Sequence, residues 1–112
     1  MTDYSFGAVI LVPFPFTDQT TTKKRPAVVV SSTEYNAERP DIVLLAITSQ
    51  IRSIPAFGEV SVSNWQKAGL IKPSAIKPVF ATIEKTLVLK QLGLLAEEDK
   101  KALRDTLQTI IG

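Results

Sequence analysis

Apolar residues along the chain fall first into short runs and only at the end into a helical rhythm. Gly7–Val12 (GAVILV) is a continuous apolar run, stopped by Pro13-Phe14-Pro15-Phe16 because proline cannot continue a central strand. Pro26–Ser31 (PAVVVS) is rich in β-branched residues, which pack well on a pleated surface. Ile42–Ile47 (IVLLAI) is a third such run and leads into Thr48-Ser49-Gln50. These three runs predict strands. Between them, Thr17–Lys24 (TDQTTTKK) predicts an exposed loop and Glu34–Pro40 a plain connection. Glu59–Val62 alternates polar and apolar, as a half-buried strand does. Asn64–Ala68 predicts one helical turn closed by Gly69. Ala75–Ile83 predicts one or two further strands, with Pro78 placing them on an edge or at a corner.

The period changes near the C-terminus. Leu103, Leu107, Ile110 and Ile111 stand at i, i+4, i+7 and i+8, one face of an amphipathic helix beginning at Glu97. Glu97, Glu98 and Asp99 occupy its first turn, where the helix dipole favours negative charge, although Ala96 is a poor N-cap. A chain of 112 residues holds one core, so residues 1–112 are expected to form a single domain. Many short strands before one terminal helix predict a mainly β (α+β) fold, a small curled antiparallel barrel with a docked helix.

Composition narrows the chemistry more than the fold. The chain has no cysteine and no histidine, which excludes disulfides, thiolate metal sites, cysteine nucleophiles and any histidine general base. The remaining chemistry belongs to Arg, Lys, Asp, Glu, Ser, Thr and Tyr. Its apolar runs are far short of the roughly 20 residues that span a bilayer, and no secretion signal is visible, so a cytoplasmic protein without membrane contact is expected. Net charge is only +2. Between Gln50 and Lys90, however, Arg52, Lys67, Lys72, Lys77, Lys85 and Lys90 face only Glu59 and Glu84, and Lys23-Lys24-Arg25 forms a second basic cluster. Such clustering is either ordinary solvation or a face that attracts phosphate.

Arg25 stands where a basic loop becomes a strand, with Pro26 fixing the backbone beside it. A guanidinium held on a rigid base suits two-point recognition of phosphate; the alternative is an arginine that caps the strand or pairs with Asp18. Thr48 and Ser49 mark the point where an apolar strand meets a polar turn. Hydroxyls there either bond to neighbouring backbone or donate to a phosphate oxygen. Trp65 can pack in the core or stack on a base.

Taken in order, Gly7–Val12, the proline-bearing loop, Arg25–Ser31 (RPAVVVS), Ile47-Thr48-Ser49, Ala68–Ser74 (AGLIKPS), Thr82–Lys85 (TIEK) and Leu92–Leu95 (LGLL) resemble the MazF/PemK family of toxins from toxin–antitoxin systems. The resemblance implies an SH3-like β-barrel of CcdB/MazF type with a C-terminal helix, assembled as a homodimer. It implies a metal-independent endoribonuclease that cuts single-stranded RNA without a cofactor and leaves a cyclic phosphate. A cognate antitoxin would neutralise it, in a complex that binds DNA. Arg25, in the RP motif, and Thr48, in the TS motif, are the implied catalytic residues. The loop Pro13–Lys24 would contact substrate and antitoxin. Asp18, Lys23, Lys24, Ser49, Gln50, Arg52 and Lys77 are the candidate RNA-binding residues. One stretch departs from the family pattern: where several members carry an Arg and an acid, this chain reads Ile76-Lys77-Pro78-Val79. Arginine stays protonated, which makes Arg25 a poor general base and leaves Asp18 and Glu59 open for that role. Two other readings keep the fold and change the function: a CcdB-like toxin that poisons gyrase, and a non-catalytic SH3-like module that binds nucleic acid or protein.

Overall fold

A computed structural model describes residues 4–14, 23–51, 53–54 and 56–112, with backbone only for Phe14 and Lys23. Six strands form one antiparallel sheet: β1 (Ala8–Phe14), β2 (Lys23–Val29), β3 (Asp41–Thr48), β4 (Val60–Ser61), β5 (Ala75–Glu84) and β6 (Lys90–Leu94), in the order β4-β5-β3-β2-β1-β6. Helix α1 (Thr33–Glu38) joins β2 to β3, and α2 (Glu97–Ile111) ends the chain.

The central strands read as unbroken apolar runs because both of their faces are covered. Val9, Val28, Leu45, Ile47, Val60, Ile76 and Leu95 point into the curl, against Leu103 of α2. Ala8, Ile10, Val12, Ala27, Val29, Ile42, Leu44 and Ala46 form a second cluster on the other face, under Tyr4, Ala81 and Val88. The expected barrel is a curled sheet whose edge strands β4 and β6 do not pair. The segment after β4 closes the curl instead. It turns at Gly69 (φ +82°), with Gly69 N–H donating to Gln66 O (3.1 Å) and Leu70 N–H to Trp65 O (3.0 Å). That pair of bonds is the glycine-terminated helix end expected for Asn64–Gly69. A Cβ on Gly69 would stand 2.1 Å from Leu92 O, and one on Gly93 would stand 2.7 Å from Ala68 O, so only glycines allow the turn and β6 to approach this closely.

Two expectations change. Glu34–Pro40 is not a plain connection: Ser32 accepts the Tyr35 N–H (3.1 Å) and starts α1, which Arg39 ends in extended backbone before Pro40. The buried residue of α1 is Asn36 rather than an apolar one, so no hydrophobic period marks it. Its amide donates to Tyr4 O (2.7 Å) and Ser31 O (3.1 Å), and its side-chain oxygen accepts from Ser31 Oγ. Strand β6, with Gly93 and no alternation, was also not expected. It exists through its pairing with β1.

Ala75–Ile83 is one strand. Leu45 pairs with Phe80 and Ile47 with Ile76, so Lys77-Pro78-Val79 bulges opposite Ala46. Pro78 sits within that bulge, past the two-residue pairing with β4, where no ladder needs its missing N–H. Helix α2 runs as expected from an N-cap Ala96 that makes no side-chain bond. Asp99 in its first turn is 2% exposed and accepts the N–H groups of Ser63 (2.9 Å) and Asn64 (3.0 Å), tying the helix to the closing turn. Among the described residues no helix is long and apolar enough to cross a membrane.

Candidate functional site

β2 pairs with β3 at Val29↔Leu44, Val28↔Leu45 and Ala27↔Ala46, and there the ladder ends. The next residue of β2 is Pro26, which has no N–H to donate. Continuing the same register by two residues sets Arg25 opposite Thr48, in the rows that begin with Ala27 and Ala46. Past the last paired residues the surface is indented. A cleft of about 310 Å³ is lined by Arg25, Pro26, Ile47, Thr48, Ser49, Gln50, Leu70, Ile71, Lys72 and Ser74. A second depression of about 220 Å³ is lined by Arg25, Ala46, Ile47, Thr48, Gln50 and Lys77. Arg25 and Thr48 line both.

The charged side chains of both linings are all cationic: Arg25, Lys72 and Lys77. Such a surface holds phosphate oxygens by charge, with Arg25 able to make two parallel N–H bonds and the lysines acting as point charges. The Arg25 Nε is shielded from solvent. Thr48 does what a strand-end threonine commonly does, since its Oγ1 accepts the Gln50 N–H at 3.1 Å. That bond uses a lone pair and orients the hydroxyl, whose hydrogen can still be donated. The two readings of Thr48 are therefore compatible.

The other expected site residues divide. Ser49 and Gln50 line the larger cleft beside Arg25. Lys77 reaches the smaller one from the β5 bulge, where the sequence departs from its family pattern. Lys24 is exposed and lines neither depression. Asp18, Arg52 and the Lys23 side chain lie outside the described residues. Glu59 is not in the site: its carboxylate accepts the Ala56 N–H (3.0 Å) and closes a tight turn. Trp65 packs against the inner core. Sequence reasoning missed Lys72 as a site residue. The turn Leu70–Ser74 carries it to the cleft, and no local sequence signal marks it.

No curated protein sequence matches this chain. Its fold is similar to that of a mycobacterial endoribonuclease in complex with its cognate antitoxin (16% identity, TM-score 0.75, covering 100% of this chain and 96% of that one). It is also similar to the Mycobacterium tuberculosis toxin MazF-mt6 (19% identity, TM-score 0.74, 93% and 95% covered) and to MazF from Deinococcus radiodurans (19%, 0.76, 100% and 99%). At such identities the likeness is one of fold. The family is settled separately, by sequence. The profile of the PemK-like, MazF-like toxins matches residues 5–111, and the chain belongs to this family of type II toxin–antitoxin toxins.

Proposed function

We propose that this chain is an endoribonuclease that cuts single-stranded mRNA selectively and without a metal, acts as a homodimer, and is held in check by a cognate antitoxin. The carrying observation is that Arg25 and Thr48, far apart in sequence, line the same two depressions beside Lys72 and Lys77. A mycobacterial fold neighbour described as an endoribonuclease bound to its antitoxin supports both the activity and the kind of partner.

RNA carries its own nucleophile. The 2′-oxygen attacks the adjacent phosphorus, the bond from phosphorus to the 5′-oxygen breaks, and a cyclic phosphate and a 5′-hydroxyl result. One proton leaves the 2′-hydroxyl and one reaches the departing oxygen. The protein has to align that attack and stabilise charge on the non-bridging oxygens. Arg25 supplies charge and paired donors, and the Thr48 hydroxyl supplies one directed hydrogen bond. Arginine does not titrate in proteins, so its part is electrostatic rather than proton transfer.

Purified protein is expected to cleave a long single-stranded RNA in EDTA, leaving cyclic phosphate ends. A substrate with deoxyribose at the cleaved nucleotide should resist. Arg25→Ala and Thr48→Val should each fold normally and lose about 10²–10³-fold in rate, the usual cost of one donor to a developing oxyanion. A folded Arg25→Ala protein that still cleaves would overturn the assignment. Growth arrest with intact RNA, independent of Arg25 and Thr48, would favour the gyrase-poisoning reading instead.

A further inference from the structure

The two depressions adjoin along Arg25, Ile47, Thr48 and Gln50, and each adds a single lysine of its own. Lys72 belongs only to the larger and Lys77 only to the smaller. We propose that Arg25 and Thr48 stand on a divide between two unlike nucleotide subsites: on one side Lys72 holds a phosphate while Ile71 offers an apolar platform to an unstacked base, and on the other Lys77 holds the next phosphate with no such platform. This inference rests on the ribonuclease reading and extends it to the path of the strand.

Ile71 carries the asymmetry. It is 89% exposed although it lines the cleft, and its backbone leaves it little freedom to withdraw. The glycine turn at Gly69 fixes one side, buried Leu70 anchors the chain beside it, and Pro73 fixes the other side. Ser74 Oγ donates to Lys72 O (2.9 Å), folding the turn back on itself. An apolar side chain held in water on a rigid turn, next to a cationic cleft, meets the needs of a base that has left its stack: apolar surface to cover one face of the ring, with the flanking phosphate paired to an ammonium. The smaller depression has Ala46 in place of such a side chain, and its lysine projects from a bulge. It can hold a phosphate without gripping a base. Contact with the base is therefore expected to contribute more to binding on the Ile71 side of the cut.

The test uses the intact protein and a single-stranded oligonucleotide spanning a mapped cleavage sequence, with deoxyribose at the cut so that it binds without reacting. Binding is measured across a salt series. Lys72→Ala and Lys77→Ala should each flatten the slope of log K against log salt by about 0.7, the loss of one phosphate contact on a single strand. Lys101→Ala, on the exposed face of α2, should leave the slope unchanged. Ile71→Ser should weaken binding roughly fivefold at constant slope, through loss of apolar burial. That loss should vanish when the nucleotide on one side of the cut is made abasic, and persist when the other side is. Unchanged slopes for both lysine variants, or an Ile71→Ser loss indifferent to both abasic positions, would overturn the two-subsite inference alone. Failure of the wild-type protein to bind or cut RNA at all would overturn the ribonuclease reading and this inference with it.

Discussion

Removing the Asp99 carboxylate should unfasten α2 from the segment that carries one lip of the cleft. The side chain is 2% exposed, and each of its oxygens accepts one backbone N–H, from Ser63 at 2.9 Å and from Asn64 at 3.0 Å. Those two residues open the turn that runs through Gly69 into Leu70–Ser74. A hydrogen bond to a charged group contributes about 1.5–3 kcal/mol. Ser63 and Asn64 are exposed, so water can reach the amides once the carboxylate is gone, and the lower end of that range applies. Two such bonds lead to a loss of about 3 kcal/mol for Asp99→Ala, or roughly 12 °C in melting temperature for a domain of this size. Asp99→Asn keeps one acceptor and sets an NH₂ against the other amide, so about half the stability should return. Glu98→Ala, which removes an exposed first-turn acid, should cost only the dipole contribution of about 0.5 kcal/mol. Urea or thermal unfolding followed by circular dichroism measures all three, and amide exchange at Ser63 and Asn64 should quicken in the alanine variant. A loss below about 1 kcal/mol for Asp99→Ala would refute the reasoning and leave the lip held by apolar packing.

Gly69→Ala should be worse, because the left-handed backbone costs a side chain about 1–2 kcal/mol and the new Cβ meets Leu92 O at 2.1 Å. A soluble Gly69→Ala variant that melts within a few degrees of wild type would contradict the closure of the sheet described above. Asn36→Ala should lose about 3 kcal/mol in equilibrium unfolding, since it strips the half-buried Tyr4 carbonyl, the buried Ser31 carbonyl and the Ser31 hydroxyl of their partner. Asp41 is held below the usual carboxylate range, chiefly by the hydrogen bond from Arg39. A depressed folded value means that its small contribution is present at neutral pH and lost as pH falls through it. Its NMR titration midpoint should rise in Arg39→Ala, and an unmoved midpoint would assign the shift to another cause.

Strands β1 and β3 and helix α2 were legible within a residue or two, because their burial comes from contiguous or periodic apolar residues that local order preserves. Helix α1 and strand β6 were not. Asn36 buries a polar side chain satisfied by Tyr4 and Ser31, and Lys90–Leu94 is a strand only because β1 lies beside it. At the site, Arg25 and Thr48 were legible through motif resemblance, whereas Lys72 was not, since nothing local distinguishes a lysine at a cleft from one in solvent. Glu59 shows the converse: a candidate base by type alone, it closes a turn instead.

By itself the sequence determined a histidine-free and cysteine-free repertoire, a set of apolar runs that must pair, a terminal amphipathic helix and a family. Only the tertiary structure decided that Arg25 and Thr48 line one cleft past the end of a ladder, that a bulge delivers Lys77 to one side, and that a glycine turn delivers Lys72 and Ile71 to the other. The physical reason is that residue type and local period fix which side chains are available and which face they take. The distance between two strands' side chains depends on register and on close backbone approach, both set by contacts between residues far apart in the chain.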